Sequence, residues 1–147
     1  MRYLFAGWGF QAGALPQSFE SCWSQATQAL ASADTAGCRW TFALLSSKSQ
    51  TLAAGALQDW ARQRLAQIDW ESFADSAIAH IATPSHSPRL QQRFATGSVA
   101  EALALHASAA NASSRLLVLR TVSADRRATL AIAGLPLPTS LIPGVFP

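Results

Sequence analysis

The stretch Ala6-Gly7-Trp8-Gly9-Phe10-Gln11-Ala12-Gly13 carries three of the chain's eight glycines and follows directly on the apolar run Tyr3 to Ala6. An apolar run ended by glycine is the pattern of a buried strand. Behind it, Phe19, Cys22, Trp23, Ala26 and Leu30 recur at helical spacing, and the segment runs out at Asp34 to Gly37. The predicted order is strand, glycine loop, helix. It repeats once: Trp40 to Leu45 reads as a second buried strand, then Ser46-Ser47-Lys48-Ser49, then a helix from about Thr51 to Arg64. Alternating strands and helices imply an α/β fold with three α/β/α layers and a mainly parallel sheet. In such a sheet the loops at the strands' carboxyl ends gather along one edge, so the glycine loop and Lys48 are expected to meet there.

Further along, Leu65 to Ile68 reads as a short third strand and Asp69 as the cap of a brief helix through Phe73. Thr83 to Ser87 is a polar loop, and Ser87-Pro88 suits the start of a short helix. Ser98-Val99-Ala100-Glu101 is a capping box opening an apolar, buried helix through about Ala110. Arg115 to Arg120 and Ala128 to Ala133 form two strands that add a C-terminal antiparallel hairpin. Residues 1–134 are expected to form one α/β domain, followed by a proline-rich tail over 135–147.

Half of the residues are hydrophobic and 13% are charged, which excludes a disordered tail and fits a sheet covered on both faces. The net charge of +3 comes from ten arginines and one lysine, and only Arg126 and Arg127 adjoin, so no nucleic-acid partner is expected. Cys22 and Cys38 have no metal-ligand spacing and read as buried thiols of a reducing compartment. Glycines interrupt the apolar N-terminal region, and no run reaches the roughly 20 apolar residues of a membrane helix. The expected location is cytoplasmic, with no membrane partner.

Gly7-x-Gly9-x-x-Ala12 formally satisfies a relaxed dinucleotide fingerprint. No acidic residue follows the second strand to hold a ribose, Trp8 and Phe10 are bulky where a phosphate loop is lean, and the Gly-Lys-Ser/Thr of a phosphate loop is absent, so no cofactor is expected. The plain alternative is that the glycines serve a tight turn. Lys48 is either a solvated surface charge or, in a strand-to-helix loop of an arginine-rich chain, an anion contact. Glu101 is explained by reaching back to the Ser98 backbone, and a chemical role beside that stays open. His80, His86 and His106 are too dispersed to suggest a metal site. His86, in the polar loop, is the best placed of the three for chemistry, although its adjacency to Ser85 and Ser87 is not a catalytic geometry.

Gly7-Trp8-Gly9 with Gly13, Leu44-Leu45-Ser46-Ser47-Lys48, "GSVAEALAL" from Gly97 to Leu105, "LLVLR" from Leu116 to Arg120 and "ATLAIA" from Ala128 to Ala133 occur in an order that resembles the CobE and CbiG C-terminal domain family of cobalamin (vitamin B12) biosynthesis. The resemblance runs from about Tyr3 to Ala133. It implies a three-layer domain on the corrin branch of tetrapyrrole metabolism, with a precorrin as ligand and other cobalamin-pathway enzymes as partners. Precorrins are flat macrocycles fringed with carboxylates, which suit helix-start amides, a lysine and aromatic surface. The family pattern falls on Gly7, Gly9, Gly13, Lys48, Ser98 and Glu101, while Trp8 and Phe10 supply aromatic surface for the ring. Where many relatives are more polar or basic in the glycine loop, this chain has Phe10, Gln11 and Ala12; Arg120 stands where relatives tend to have lysine.

Three functions follow as expectations: a protein that binds or presents a precorrin, an enzyme opening a precorrin lactone with Glu101 or His86 as base, and an unrelated nucleotide-binding module. Lactone opening by this chain alone is not expected. The chain starts directly with the first strand, so whatever the rest of CbiG contributes is missing, and neither a cysteine with a base nor a metal cluster is evident.

Overall fold

The computed structural model describes residues 2–30, 37–111 and 113–135. Its five strands are β1 (Arg2–Phe10), β2 (Cys38–Leu45), β3 (Ile68–Phe73), β4 (Arg115–Val122) and β5 (Ala128–Gly134), in the order β3-β2-β1-β5-β4. β1 pairs in parallel with β2, and β2 with β3; β5 runs antiparallel to both β1 and β4. Four strands therefore share one direction, and the carboxyl ends of β1, β2 and β4 lie at the same edge as the start of β5.

The helices are α1 (Pro16–Ala29), α2 (Leu52–Arg64), α3 (Asp75–Ile78), α4 (Pro88–Phe94) and α5 (Val99–Ala107). One face of the sheet meets α1 and α2 through an aromatic layer of Trp8, Phe19, Trp23, Trp40, Phe42 and Trp60, mostly edge-on or tilted with centroids 4.7 to 6.4 Å apart. Such pairs contribute about 0.5–1.5 kcal/mol each beyond their area burial. On the other face, Leu45 of β2 packs with Val99 and Leu103 of α5, while small residues meet at β5, where Ala131 and Ala133 face Ala100 and Ala104 of α5.

That second face explains the glycines, and it corrects the expected loop. Gly7 and Gly9 lie inside β1, paired with Ala131 and Thr129 of β5. A β-carbon on Gly7 would overlap the Ala100 carbonyl oxygen and stand 2.6 Å from the Ala104 nitrogen. Strand and helix backbones touch there because neither side carries bulk. The intervening Trp8 points the opposite way, into the aromatic layer, as the two-residue strand period requires.

Three other expectations change. Ile68–Phe73 is an edge strand rather than a cap and helix, and Asp69 pairs with Arg39 across β2 at 2.8 Å. α1 stops at Ala29, ahead of the expected end, with Leu30 already extended; residues 31–36 of that segment lie outside the described residues. The apolar helix ends at Ala107. The expected short helix at Ser87-Pro88 is α4, with the Ser87 hydroxyl accepting from Leu90 N. Of the proline-rich tail, residues 136–147 lie outside the described residues. Among the described residues no helix is long and apolar enough to cross a membrane, and no group of three or more His, Cys, Asp or Glu side chains could hold a metal ion.

Candidate functional site

The sheet's common edge opens into a cleft of about 780 Å³, within the ordinary range for ligand sites. Phe10 and Val122 at strand ends, Phe94 of α4 and Val99 of α5 give it apolar surface. Its charge is one-sided. Lys48, Arg89, Arg93, Arg120, Arg126 and Arg127 all line it, and among the described residues no carboxylate, histidine or cysteine does. Six of the chain's eleven cationic residues thus converge on one hollow, although they are spread over eighty residues of sequence.

Local structure explains their placement. Lys48 ends a single 3-10 turn, Ser46–Lys48, at the carboxyl end of β2. Its ammonium donates to the Phe10 carbonyl at 2.9 Å and lies 6.0 Å from the centre of the Phe10 ring. Burial, together with the positive charge of Arg93 and Arg89, pushes Lys48 below its usual pKa against an opposing pull from Asp75. Arg89 and Arg93 stand four residues apart on α4, hence on one helix face. Arg126 and Arg127 belong to the turn between β4 and β5, and the Arg127 guanidinium donates to the Gly13 carbonyl at 3.1 Å.

Glu101 lies behind the cleft rather than on it. The side chain is fully buried, and it does not close the expected capping box. The Ser98 hydroxyl accepts from Glu101 N at 3.3 Å, but the carboxylate turns elsewhere. It accepts from Ser85 N at 2.8 Å, Ser85 Oγ at 2.7 Å and Arg120 N at 2.7 Å. β4 is irregular between Val118 and Thr121, so the Arg120 N–H, displaced from a regular ladder, finds the carboxylate instead. Glu101 thereby ties α5, the Ser85 loop and the strand that carries Arg120 into one unit.

The sequence-selected residues separate accordingly. Trp8, Gly9, Phe10 and Lys48 border the cleft. The Trp8 ring itself belongs to the aromatic layer, 1% exposed, with its indole N–H lacking an acceptor. Gly7 lies under α5, Gly13 is joined to the cleft only through Arg127, and Ser98 is buried at the start of α5. His86 is exposed and outside the cleft lining. His80 has a left-handed backbone with φ of 66°, and His106 packs edge-on against Phe73 at 4.6 Å. Cys22 is buried, its thiol 3.3 Å from the Ala128 carbonyl, and burial pushes its pKa up to about 12.

Sequence reasoning missed Arg89, Arg93, Arg126 and Arg127 as a group and met Arg120 only as a departure from relatives. One signal was available: two arginines four apart on a short helix with no acidic residue within a turn of either.

With this geometry in place, comparison with known proteins becomes informative. The family model described as cobalamin synthesis G C-terminus matches residues 4–133. The chain belongs to this family. A crystal structure of CobE, "a protein from the cobalamin (vitamin B12) biosynthetic pathway", is similar with a TM-score of 0.70 over 92% of each chain, at 20% sequence identity. That likeness is one of fold, and it agrees with the mixed five-stranded sheet. No curated protein sequence matches the chain. The dinucleotide reading loses its structural basis in this CbiG C-terminal domain, because Gly7 and Gly9 sit within a paired strand under α5 instead of in a turn opening onto a helix N-terminus.

Proposed function

We propose that this CbiG C-terminal family member binds a precorrin-type tetrapyrrole in the cationic cleft and presents it to other cobalamin-pathway enzymes, residues 1–134 being the binding unit. One observation carries the reading: six cations and no carboxylate line a cleft that also has apolar walls. A flat macrocycle fringed with acetates and propionates matches both features. Its carboxylates meet guanidinium forks suited to bidentate hydrogen bonds, and its ring meets Phe10, Phe94 and Val99. Lys48, partly desolvated, adds a point charge beside Phe10.

Binding without turnover is the form of this reading that the lining supports. The cleft offers no carboxylate, histidine or cysteine to activate water, and all of the donors to Glu101 hold it in a structural role. The test is to produce the protein together with upstream corrin-forming enzymes and record the visible spectrum after purification. The expected result is a retained tetrapyrrole absorption. A colourless protein from a coloured lysate, with no spectral shift on titration, would overturn the reading.

A further inference from the structure

The turn between β4 and β5 is held far more firmly than a hairpin tip requires. Asp125 accepts from Ser18 Oγ at 2.5 Å, Ser123 Oγ at 2.6 Å and Arg127 N at 3.1 Å. The Ser123 hydroxyl oxygen also accepts from Arg127 N at 3.1 Å and Ala128 N at 3.0 Å. From α1, Ser21 Oγ accepts from Ala124 N at 3.0 Å, and Gln25 Nε2 donates to the Val122 carbonyl at 3.1 Å. Gln11 N bonds the Arg127 carbonyl at 2.9 Å. The Ser123 and Ser18 hydroxyls hold the Asp125 pKa below its ordinary value, so it serves this network as an anion.

At the centre of this network, Arg126 adopts φ of 62°, a left-handed conformation that favours glycine. An arginine there costs stability that glycine would not. The Arg126 side chain nevertheless makes no hydrogen bond or ion pair among the described residues, and it lines the cleft. A disfavoured backbone conformation, over-determined by its surroundings and presenting an exposed guanidinium without a protein partner to a cavity, is the pattern of a ligand clamp.

We infer that the Ser123–Arg127 turn is a prebuilt anion clamp whose Arg126 grips a peripheral carboxylate of the macrocycle. The inference rests on the tetrapyrrole-binding reading and adds a named contact to it. The network fixes the backbone before the ligand arrives, so less ordering remains to be done on binding.

The test uses the full chain and uroporphyrin, a polycarboxylated porphyrin, followed by the shift of its Soret band, with thermal unfolding measured in parallel. Arg126→Gly relieves the left-handed strain and removes the charge; Arg126→Gln removes the charge alone. Both should weaken binding by about tenfold or more, the size of one charge-assisted hydrogen bond. Tm should stay at the parent value for Arg126→Gln and at or above it for Arg126→Gly, whereas Arg126→Lys should recover part of the affinity. A parent chain that leaves the Soret band unmoved would remove the ligand class and the clamp with it. A parent that binds while Arg126→Gly binds equally well, or an Arg126→Gly variant that unfolds several degrees earlier, would overturn the clamp alone.

Discussion

The arginines fall into two populations in different surroundings. Away from the cleft, Arg39 meets Asp69 at 2.8 Å, Arg62 meets Asp59 at 2.9 Å, and Arg64 forks onto Glu20 at 2.9 and 3.1 Å. In the cleft, the guanidinium groups of Arg89, Arg93, Arg120 and Arg126 have no carboxylate partner among the described residues. The paired group contributes modestly to the fold, as exposed ion pairs do. Within the cleft, burial lowers the Lys48 pKa most, and the like charges of Arg93 and Arg89 lower it further. Among the described residues no acidic side chain lines this cavity, although the chain has eight, and that imbalance is what supports the proposal of an anionic ligand.

Charge reversal should break this contrast most severely. Arg93→Glu combined with Arg126→Glu should weaken uroporphyrin binding by about a hundredfold or more, since two charge-assisted contacts become repulsions. Circular dichroism of the variant should match the parent, because neither side chain has an ion pair among the described residues and Arg93 gives the fold only its contact over the Phe94 ring at 5.1 Å. The opposite population should respond the opposite way. Glu20→Gln should lower Tm at pH 7 by roughly 2–4 °C, the effect of losing one partly exposed ion pair, and leave ligand affinity unchanged. Arg64, mainly, and the indole of Trp60 hold Glu20 down to about 2, below its ordinary 4.5, against the upward push of burial. A depressed carboxylate pKa gives stability that is complete above the ordinary value and is lost as pH falls toward the folded one. The Tm gap between parent and Glu20→Gln should therefore close between about pH 4.5 and pH 2.

Smaller effects sharpen the picture. Lys48→Ala should weaken binding several-fold without unfolding the domain, because the Lys48 side chain gives the protein one hydrogen bond, to the Phe10 carbonyl at 2.9 Å, and a contact 6.0 Å from the Phe10 ring centre. Equal affinity would remove Lys48 from the site. Arg93→Gln should raise Tm by about a degree by relieving repulsion, in contrast to Glu20→Gln. A lowered Tm would mean that the cleft arginines support the fold after all.

How far the sequence could be read follows from the same contrast between local and distant causes. The strand-helix alternation, the C-terminal hairpin and the helix start at Ser98 were legible because apolar spacing and capping residues act within a turn or two. β3 was misread because an edge strand with Asp69 and Glu71 facing solvent has no clean apolar period. The glycines of β1 read as a loop or a tight turn, whereas they serve the close approach of Ala100 and Ala104, more than ninety residues on. Lys48 stood out by composition and location, whereas Arg89, Arg93 and Arg126 look like any surface arginine until the fold shows that nothing neutralises them. Glu101 carried a plausible local explanation that concealed its long-range role, since Ser85 and Arg120 lie far from it in sequence.

The central claim is that this cleft holds a polycarboxylated macrocycle by its charges. The most direct measurement is titration of the parent chain with uroporphyrin and with its fully esterified counterpart, solubilised identically, over a series of salt concentrations. The account predicts a saturable Soret shift for the free acid that weakens steeply as salt rises, and little response to the ester. Equal binding of acid and ester, or affinity indifferent to salt, would contradict it.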